Sequence, residues 1–327
     1  MNTNGVHAPT GRLIAAFAAV YIIWGSTYLA IRFAIETMPP FMMAGIRFLV
    51  AGVLILGWAK LRGMERPTRD QWKSALLIGT LLLMGGNGAV VYAEQTVPSG
   101  IAALLVAVTP CWMVLIDWLR PGGPRPTLAI VFGLLLGLGG VALLLGPESL
   151  LGGGRVDPLG TLVLMVGCLC WSSGSIYSRH ANVPRSPMVG TGMQMVCGGS
   201  VLVLASALTG EFARVDPAAF SVKSVLAFLY LIVFGAIIGY SAYIWLLRAS
   251  TPARVSTYAY VNPVVAVLLG WLLAGEALTL RMLIAALVIL GAVALITLSR
   301  QRTRAPGTAS RASPATGSGV RMAAEEA

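Results

Sequence analysis

Residues 24–52 read WGSTYLAIRFAIETMPPFMMAGIRFLVAG, and residues 171–199 read WSSGSIYSRHANVPRSPMVGTGMQMVCGG. A shift of 147 residues aligns the two stretches without a gap. The identical pairs include Trp24 and Trp171, Ser26 and Ser173, Arg32 and Arg179, Pro40 and Pro187, Gly45 and Gly192, and Gly52 and Gly199. Apolar segments resemble one another by chance, but tryptophan, proline and glycine in step predict an internal repeat.

The repeat continues towards the end of each half of the chain. A shift of 153 places Thr109-Pro110 on Asn262-Pro263, and a shift of 152 places Gly139 on Gly291. We therefore predict a first repeat over 12–146 and a second over 158–299. Residues 1–11 and 300–327 are predicted to be tails, and the second of these, rich in Arg, Ser, Thr, Pro, Gly and Ala, is predicted to be disordered.

The composition indicates a membrane protein. Of the 327 residues, 57% are hydrophobic and 11% are charged, whereas a soluble domain carries about 25% charged residues. The apolar residues form runs near twenty residues long, which match the roughly 30 Å hydrocarbon thickness of a bilayer. We predict an all-α integral membrane fold with ten transmembrane helices, near 12–34, 41–60, 73–93, 98–119, 127–146, 158–178, 187–209, 222–247, 253–274 and 280–299.

The basic residues predict the orientation of these spans. With a cytoplasmic N-terminus, 17 Lys and Arg residues fall on the inner side and four on the outer side, namely Arg155, Arg214, Lys223 and Arg281. The positive-inside rule then puts both termini in the cytoplasm of a multi-pass protein, and it explains the formal net charge of +11 better than a nucleic-acid partner does. Because each repeat holds five spans, an odd number, the second is inverted relative to the first, an arrangement suited to alternating access.

Several motifs resemble the EamA repeat of the drug/metabolite transporter superfamily, most closely its YedA-type inner-membrane exporters. They are Trp24-Gly25-Ser26-Thr27-Tyr28, Pro39-Pro40, Arg47-Phe48, Val97 to Ala103, Tyr258 to Val265, and Gly275-Glu276. The resemblance covers roughly residues 12–300 and implies ten helices, a central cavity between the repeats, and export of metabolites or drugs across a bacterial inner membrane. The second repeat departs from the first at Gln194, which stands where the first has Arg47.

Arg47 is the first candidate for binding a solute, because an arginine inside a span must face protein, water or a carboxylate. Glu94, at the outer end of the third span, is the carboxylate nearest to it in depth. The pair predicts either an anion-attracting site or a gate latch. A structural ion pair, or an arginine reaching to the outer surface, is the alternative.

Aromatic residues at helical spacing form a second set of candidates. Such rings stack on an aromatic solute or bind a cation, and packing or an interfacial belt is the alternative. The substrate-binding candidates in this set are Trp24, Tyr28, Trp171, Tyr240, Tyr243 and Tyr258.

Polar residues within spans complete the candidates. Pro263 removes a backbone donor and frees a carbonyl near Asn262 and Tyr258, and either a substrate contact or a static bend follows. Asn87 gives the Gly85-Gly86-Asn87-Gly88 patch one amide. Gly133 and Gly137 form a GxxxG pair, which indicates helix packing or a homodimer surface.

No enzyme motif is found in the sequence. The two histidines, His7 and His180, lie in a tail and a loop, so we predict no metal site and no cofactor. The absence of a Walker-type glycine loop excludes built-in ATP hydrolysis. The sequence therefore predicts a secondary-type exporter of amino-acid-like or aromatic solutes, and the alternatives are a non-transporting membrane scaffold or an intramembrane enzyme.

Overall fold

The computed structural model describes residues 9–119, 125–150, 157–250, 255 and 257–304. The apolar helices in these residues are α1 (Thr10–Ala34), α2 (Pro40–Leu61), α3 (Arg69–Ala93), α4 (Ser99–Val106 and Thr109–Leu119), α5 (Leu128–Leu150), α6 (Pro158–Tyr177), α7 (Pro187–Leu208), α8 (Val222–Leu246), α9 (Tyr258–Ala274) and α10 (Leu280–Arg304). No strand occurs within the described residues. The all-α fold class is therefore confirmed.

Seven of these helices, α1 to α4 and α6 to α8, are long and apolar enough to cross a membrane, counted over the described part of the chain. The apolar parts of α5, α9 and α10 are shorter, between 10 and 17 residues. The chain is a multi-pass membrane protein, and the count of ten spans stays a prediction. The helix α10 runs past the expected boundary at 299 to Arg304. Residues 305–327, predicted to be disordered, lie outside the described residues.

The helix starts follow from local sequence. Pro40, Pro158 and Pro187 each occupy the first turn of a helix, where the missing N–H of proline is not needed. Thr68 and Gln71 form a capping box at the start of α3, since the Gln71 N–H donates to the Thr68 hydroxyl oxygen over 3.3 Å and the Thr68 N–H donates to Gln71 Oε1 over 2.9 Å. These short-range signals explain why the predicted boundaries fall within a few residues of the observed ones.

At the start of two helices, the first backbone N–H groups donate to a carboxylate from a segment that is distant in the sequence. The Glu211 carboxylate accepts from the backbone N–H groups of Phe41 (3.2 Å) and Met42 (2.8 Å) at the start of α2. The Glu276 carboxylate accepts from the N–H groups of Ser99 (2.8 Å) and Gly100 (3.0 Å) at the start of α4. Each contact ties a loop of the second half to a helix of the first half.

Helices at the same position in the two halves pack against each other: α2 on α7, α4 on α9, and α5 on α10. A Cβ added to Gly45 would lie 3.1 Å from the carbonyl oxygen of Gly199, and one added to Gly52 would lie 2.9 Å from that of Gly192. Early residues of α2 therefore meet late residues of α7, and the two helices run antiparallel. Small residues permit this close backbone approach.

Three helices contain a stretch of wider π-type turns: Ala19–Ile23 in α1, Thr80–Asn87 in α3, and Leu231–Tyr240 in α8. Such turns are rare and often lie at functional sites. The stretches in α3 and α8 occupy equivalent positions, since a shift of 153 carries Gly86 to Gly239 and Asn87 to Tyr240. The helix α4 is interrupted just before Thr109-Pro110, whereas α9 is continuous through the equivalent Asn262-Pro263.

Candidate functional site

A central cavity of about 90 Å³ lies between the two halves of the chain. The first half contributes twelve lining residues, Trp24, Thr27, Tyr28, Ile31, Arg47, Phe48, Leu83, Gly86, Asn87, Val90, Val106 and Thr109. The second half contributes eight, Leu164, Gly167, Cys168, Trp171, Gly235, Tyr240, Tyr258 and Asn262. The cavity is thus shared between the halves and is mostly apolar, with a few polar groups, as small-molecule sites are.

Eight of the ten candidate residues from the sequence line this cavity: Trp24, Tyr28, Arg47, Asn87, Trp171, Tyr240, Tyr258 and Asn262. Tyr243 lies behind the lining, where its ring contacts those of Trp24 (centroids 4.9 Å apart) and Tyr258 (5.8 Å). Glu94 is fully buried (0% exposed) just beyond the end of α3 and is not part of the lining. A role of these residues in binding a substrate stays a prediction.

The aromatic residues form one cluster at the centre of the molecule. Trp24 of α1 meets Trp171 of α6 edge to face, with ring centroids 5.8 Å apart, and meets Tyr258 of α9 in the same way at 5.6 Å. The Trp24 Nε1–H donates to the carbonyl oxygen of Gly235 over 3.3 Å, whereas the buried indole N–H of Trp171 lies beside the hydroxyl groups of Tyr243 and Tyr258. The cluster therefore presents aromatic rings to the cavity.

Arg47 is held in place on two sides. One of its Nη2–H groups donates to Asn87 Oδ1, and its guanidinium lies over the Phe48 ring, 4.5 Å from the centroid. Its side chain is 3% exposed, and its Nε has no hydrogen-bond partner among the residues that the structure describes. The geometry therefore fixes the direction of the guanidinium and leaves one N–H unused, a cost when that donor is buried.

Glu94 does not form the latch with Arg47 that its depth suggested. Neither of its buried carboxylate oxygens has a hydrogen-bond partner within the described residues, although its charge interacts with those of Arg47 and Arg32. The Arg32 Nη1–H instead donates to the backbone carbonyl of Glu94 over 2.6 Å. Asn87, and not Glu94, is the direct partner of Arg47.

The proline and glycine motifs have packing roles. With its amide oriented to suit its neighbours, Asn262 donates to the carbonyl oxygens of Tyr258 (3.2 Å) and Tyr21 (3.1 Å), so it stabilises the first turn of α9 and the contact of α9 with α1. Gly133 and Gly137 face Ile296 and Ala292 of α10. Their surfaces are covered by the same chain, although a homodimer through another surface stays a prediction.

Sequence reasoning missed several lining residues, among them Thr27, Cys168 and Gly235. Small residues of this kind are common within membrane helices, so the sequence does not mark these three as part of a binding site. Their position in the fold brings them to the cavity. Trp24 and Trp171, in contrast, were marked by their equivalent positions in the repeat.

The EamA-like transporter family matches residues 11–146 and 158–298 of this chain. The chain is 43% identical over 289 residues to the uncharacterized inner membrane transporter YedA of Escherichia coli K12, with 88% of this chain and 91% of YedA covered. It is 25% identical over 276 residues to protein PecM of Dickeya dadantii, with 84% and 88% covered. A solved crystal structure, 24% identical, shares the fold with a TM-score of 0.63 and covers 91% of this chain and 100% of its own.

Proposed function

This chain belongs to the EamA-like transporter family and is a membrane transporter, and from that premise we propose that it exports small metabolites or drug-like solutes by alternating access. In this proposal the protein lies in a bacterial inner membrane with both termini in the cytoplasm, and the central cavity carries the solute. The observation that carries the proposal is that residues of both halves line one cavity, beside the antiparallel pair of equivalent helices α2 and α7.

The contacts between the halves support an inverted repeat. The Gly45–Gly199 contact becomes the Gly52–Gly192 contact when equivalent positions of the two halves are exchanged. The α1–α8 packing and the α3–α6 packing are exchanged in the same way. Two equivalent bundles in opposite senses can trade conformations, so that the cavity between them opens to either side in turn.

The same exchange relates contacts around the cavity. A Cβ on Gly239 would lie 2.6 Å from Trp24 Nε1, and a Cβ on Gly86 would lie 2.7 Å from Trp171 Cε3. Each tryptophan therefore packs against the glycine of a π-type stretch in the opposite half. This arrangement favours a carrier over a scaffold, because a scaffold needs no central cavity. YedA is named as a transporter, which agrees with a protein that is not an enzyme.

A labelling experiment tests alternating access without knowledge of the substrate. Cys168 lines the cavity, so a variant in which it is the only cysteine (Cys111, Cys170 and Cys197 replaced by alanine) reports the opening of the cavity. We expect a small membrane-impermeant methanethiosulfonate reagent to react with Cys168 in both right-side-out and inside-out membrane vesicles.

The matched control is a variant that retains only Cys111. This cysteine is buried on α4, 3.4 Å from the position of a Cβ on Gly137, and it does not line the cavity. We expect it to stay unmodified from either side. Reaction of Cys168 from one side only, at every reagent concentration, would show a static pocket and contradict the proposal.

A further inference from the structure

We propose that the solute bound in the central cavity is an organic anion, a carboxylate on an aromatic or apolar body, held through Arg47. This inference deepens the proposed function and rests on it. The sequence predicted amino-acid-like or aromatic solutes. The inference selects from these the carboxylates that carry no ammonium group.

The charges around the cavity favour an anion. Among the described residues that line it, Arg47 is the one that carries a formal charge at neutral pH. The carboxylate of Glu94 is buried outside the lining. A bound ammonium group would find no carboxylate there, and an uncompensated charge in a buried site is costly. A bound carboxylate, in contrast, would meet a guanidinium whose geometry suits it.

The second repeat shows that Arg47 is not needed as a structural tie. At the equivalent positions, the Tyr240 hydroxyl donates to Gln194 Oε1 over 2.7 Å. Arg47 with Asn87, and Gln194 with Tyr240, thus join the same two helices of each half. Since two neutral side chains make this connection in the second half, the positive charge in the first half is free to serve another purpose.

An unused donor points in the same direction. The Nε of Arg47 is buried, belongs to a residue that lines the cavity, and has no acceptor within the described part of the chain. Native proteins rarely leave buried donors unsatisfied. A ligand with acceptor oxygens would satisfy the guanidinium, and the rings of Trp24 and Tyr258 would pack against the apolar part of that ligand.

Binding of three probes that share a phenyl ring tests the charge preference. They are 3-phenylpropionate (an anion), 2-phenylethylamine (a cation) and phenylalanine (a zwitterion). Affinities of the full chain in nanodiscs follow from the concentration dependence of its melting temperature, because a ligand that binds only the folded state stabilises it. We expect the anion to bind at least tenfold more tightly than either of the other two.

The decisive variant is Arg47→Gln, which installs the side chain that stands at the equivalent position of the second repeat and can still donate to Asn87. We expect it to reduce the preference for the anion to less than threefold. Arg47→Lys retains the charge without the planar fork, so it should retain a weakened preference, and it guards against a general loss of fold. The control is Arg62→Gln, which removes an exposed positive charge over the Trp58 ring at the far end of α2 and should leave the preference unchanged.

Tightest binding by the cation or the zwitterion, no binding of the anion, or an anion preference that survives Arg47→Gln would each overturn the inference. These results are separate from the labelling of Cys168. Two-sided labelling without an anion preference leaves the carrier intact and removes only the substrate class. An anion preference with one-sided labelling leaves an anion site in a protein that does not carry by alternating access.

Discussion

Trp24 and Trp171 meet edge to face at the centre of the molecule, with ring planes at 82°. They occupy the same position in the two repeats, and each packs against a glycine of the opposite half, Gly239 and Gly86 respectively. These four residues form one unit. When each residue is replaced by its equivalent in the other half, the same four residues and the same two contacts result. The predictions below begin with this unit.

We expect Gly86→Ala and Gly239→Ala each to lower the free energy of unfolding by about 1–3 kcal/mol, because an added methyl group collides with an indole ring and overpacks the centre. Thermal unfolding in detergent measures the effect. Gly139→Ala is the control, since nothing lies within 4 Å of its Cβ position, and alanine there favours the helix. Equal melting temperatures for all three variants would contradict the close packing.

We expect Glu94→Gln to tighten the binding of 3-phenylpropionate. The charges of Glu94 and Arg47 interact without a hydrogen bond between the two side chains, so the ionised form of Glu94 weakens the field of Arg47 in the cavity and glutamine does not. An effect of about 1 kcal/mol, or roughly fivefold in affinity, is reasonable for a separated pair at intermediate dielectric. The control is Glu36→Gln, whose carboxylate pairs with Lys223 at the surface. Weaker binding after Glu94→Gln would contradict the proposed compensation.

We expect Glu276→Ala to destabilise the fold by about 2 kcal/mol, because it leaves the first N–H groups of α4 without an acceptor. The Ser99 hydroxyl, which donates to Glu276 Oε1 over 2.6 Å, loses its partner as well. Thermal unfolding measures the change. Glu65→Ala is the comparison: its carboxylate accepts one exposed N–H, that of Arg185, so its effect should be clearly smaller. A similar loss of stability in both variants would contradict a stabilising role for the Glu276 cap of α4.

We expect Asp157→Asn to remove an acid-dependent part of the stability. The Thr96 hydroxyl, 2.8 Å away, and the N–H groups of Gly160 and Leu159 hold the pKa of Asp157 below its ordinary value of 3.8. The ionised carboxylate therefore stabilises the fold in full above that value, and the contribution is lost as pH falls through the lower pKa of the folded state.

Melting temperatures between pH 6 and pH 3 test this expectation. Asp157→Asn should melt below the unmodified chain at pH 6, and the difference should shrink towards pH 3. Thr96→Val, which removes only the hydroxyl, should show a smaller difference of the same sign. A difference that does not depend on pH would assign the effect of Asp157 to shape and not to charge.

The sequence predicted those parts of the fold that depend on nearby residues. Apolar runs between polar connectors placed the helices, and the prolines at 40, 158 and 187 marked helix starts. The repeat predicted that Trp24 and Trp171 lie at equivalent places, and eight of the ten candidate residues do line the cavity.

The sequence did not predict contacts that depend on how distant elements pack. Glu211 and Glu276 lie in loops and cap helices that begin about 170 residues earlier in the chain, so no local pattern identifies them. Depth in the membrane suggested Glu94 as the partner of Arg47, but Asn87, which precedes Glu94 by about two helical turns in α3, accepts the hydrogen bond from the guanidinium. The π-type stretches result from packing and have no sequence signature of their own.

The glycine contacts of α2 and α7 have a mechanical consequence. If the two halves trade conformations, the Gly45–Gly199 separation of one state becomes the Gly52–Gly192 separation of the other, and here these gaps are nearly equal, 3.1 and 2.9 Å from Cβ position to carbonyl oxygen. The contact between α2 and α7 can therefore stay in place while the other helices move around it. In the proposed exchange of conformations, the movement would then fall on α1, α3, α6 and α8, the helices that carry the two central tryptophans and their glycine partners.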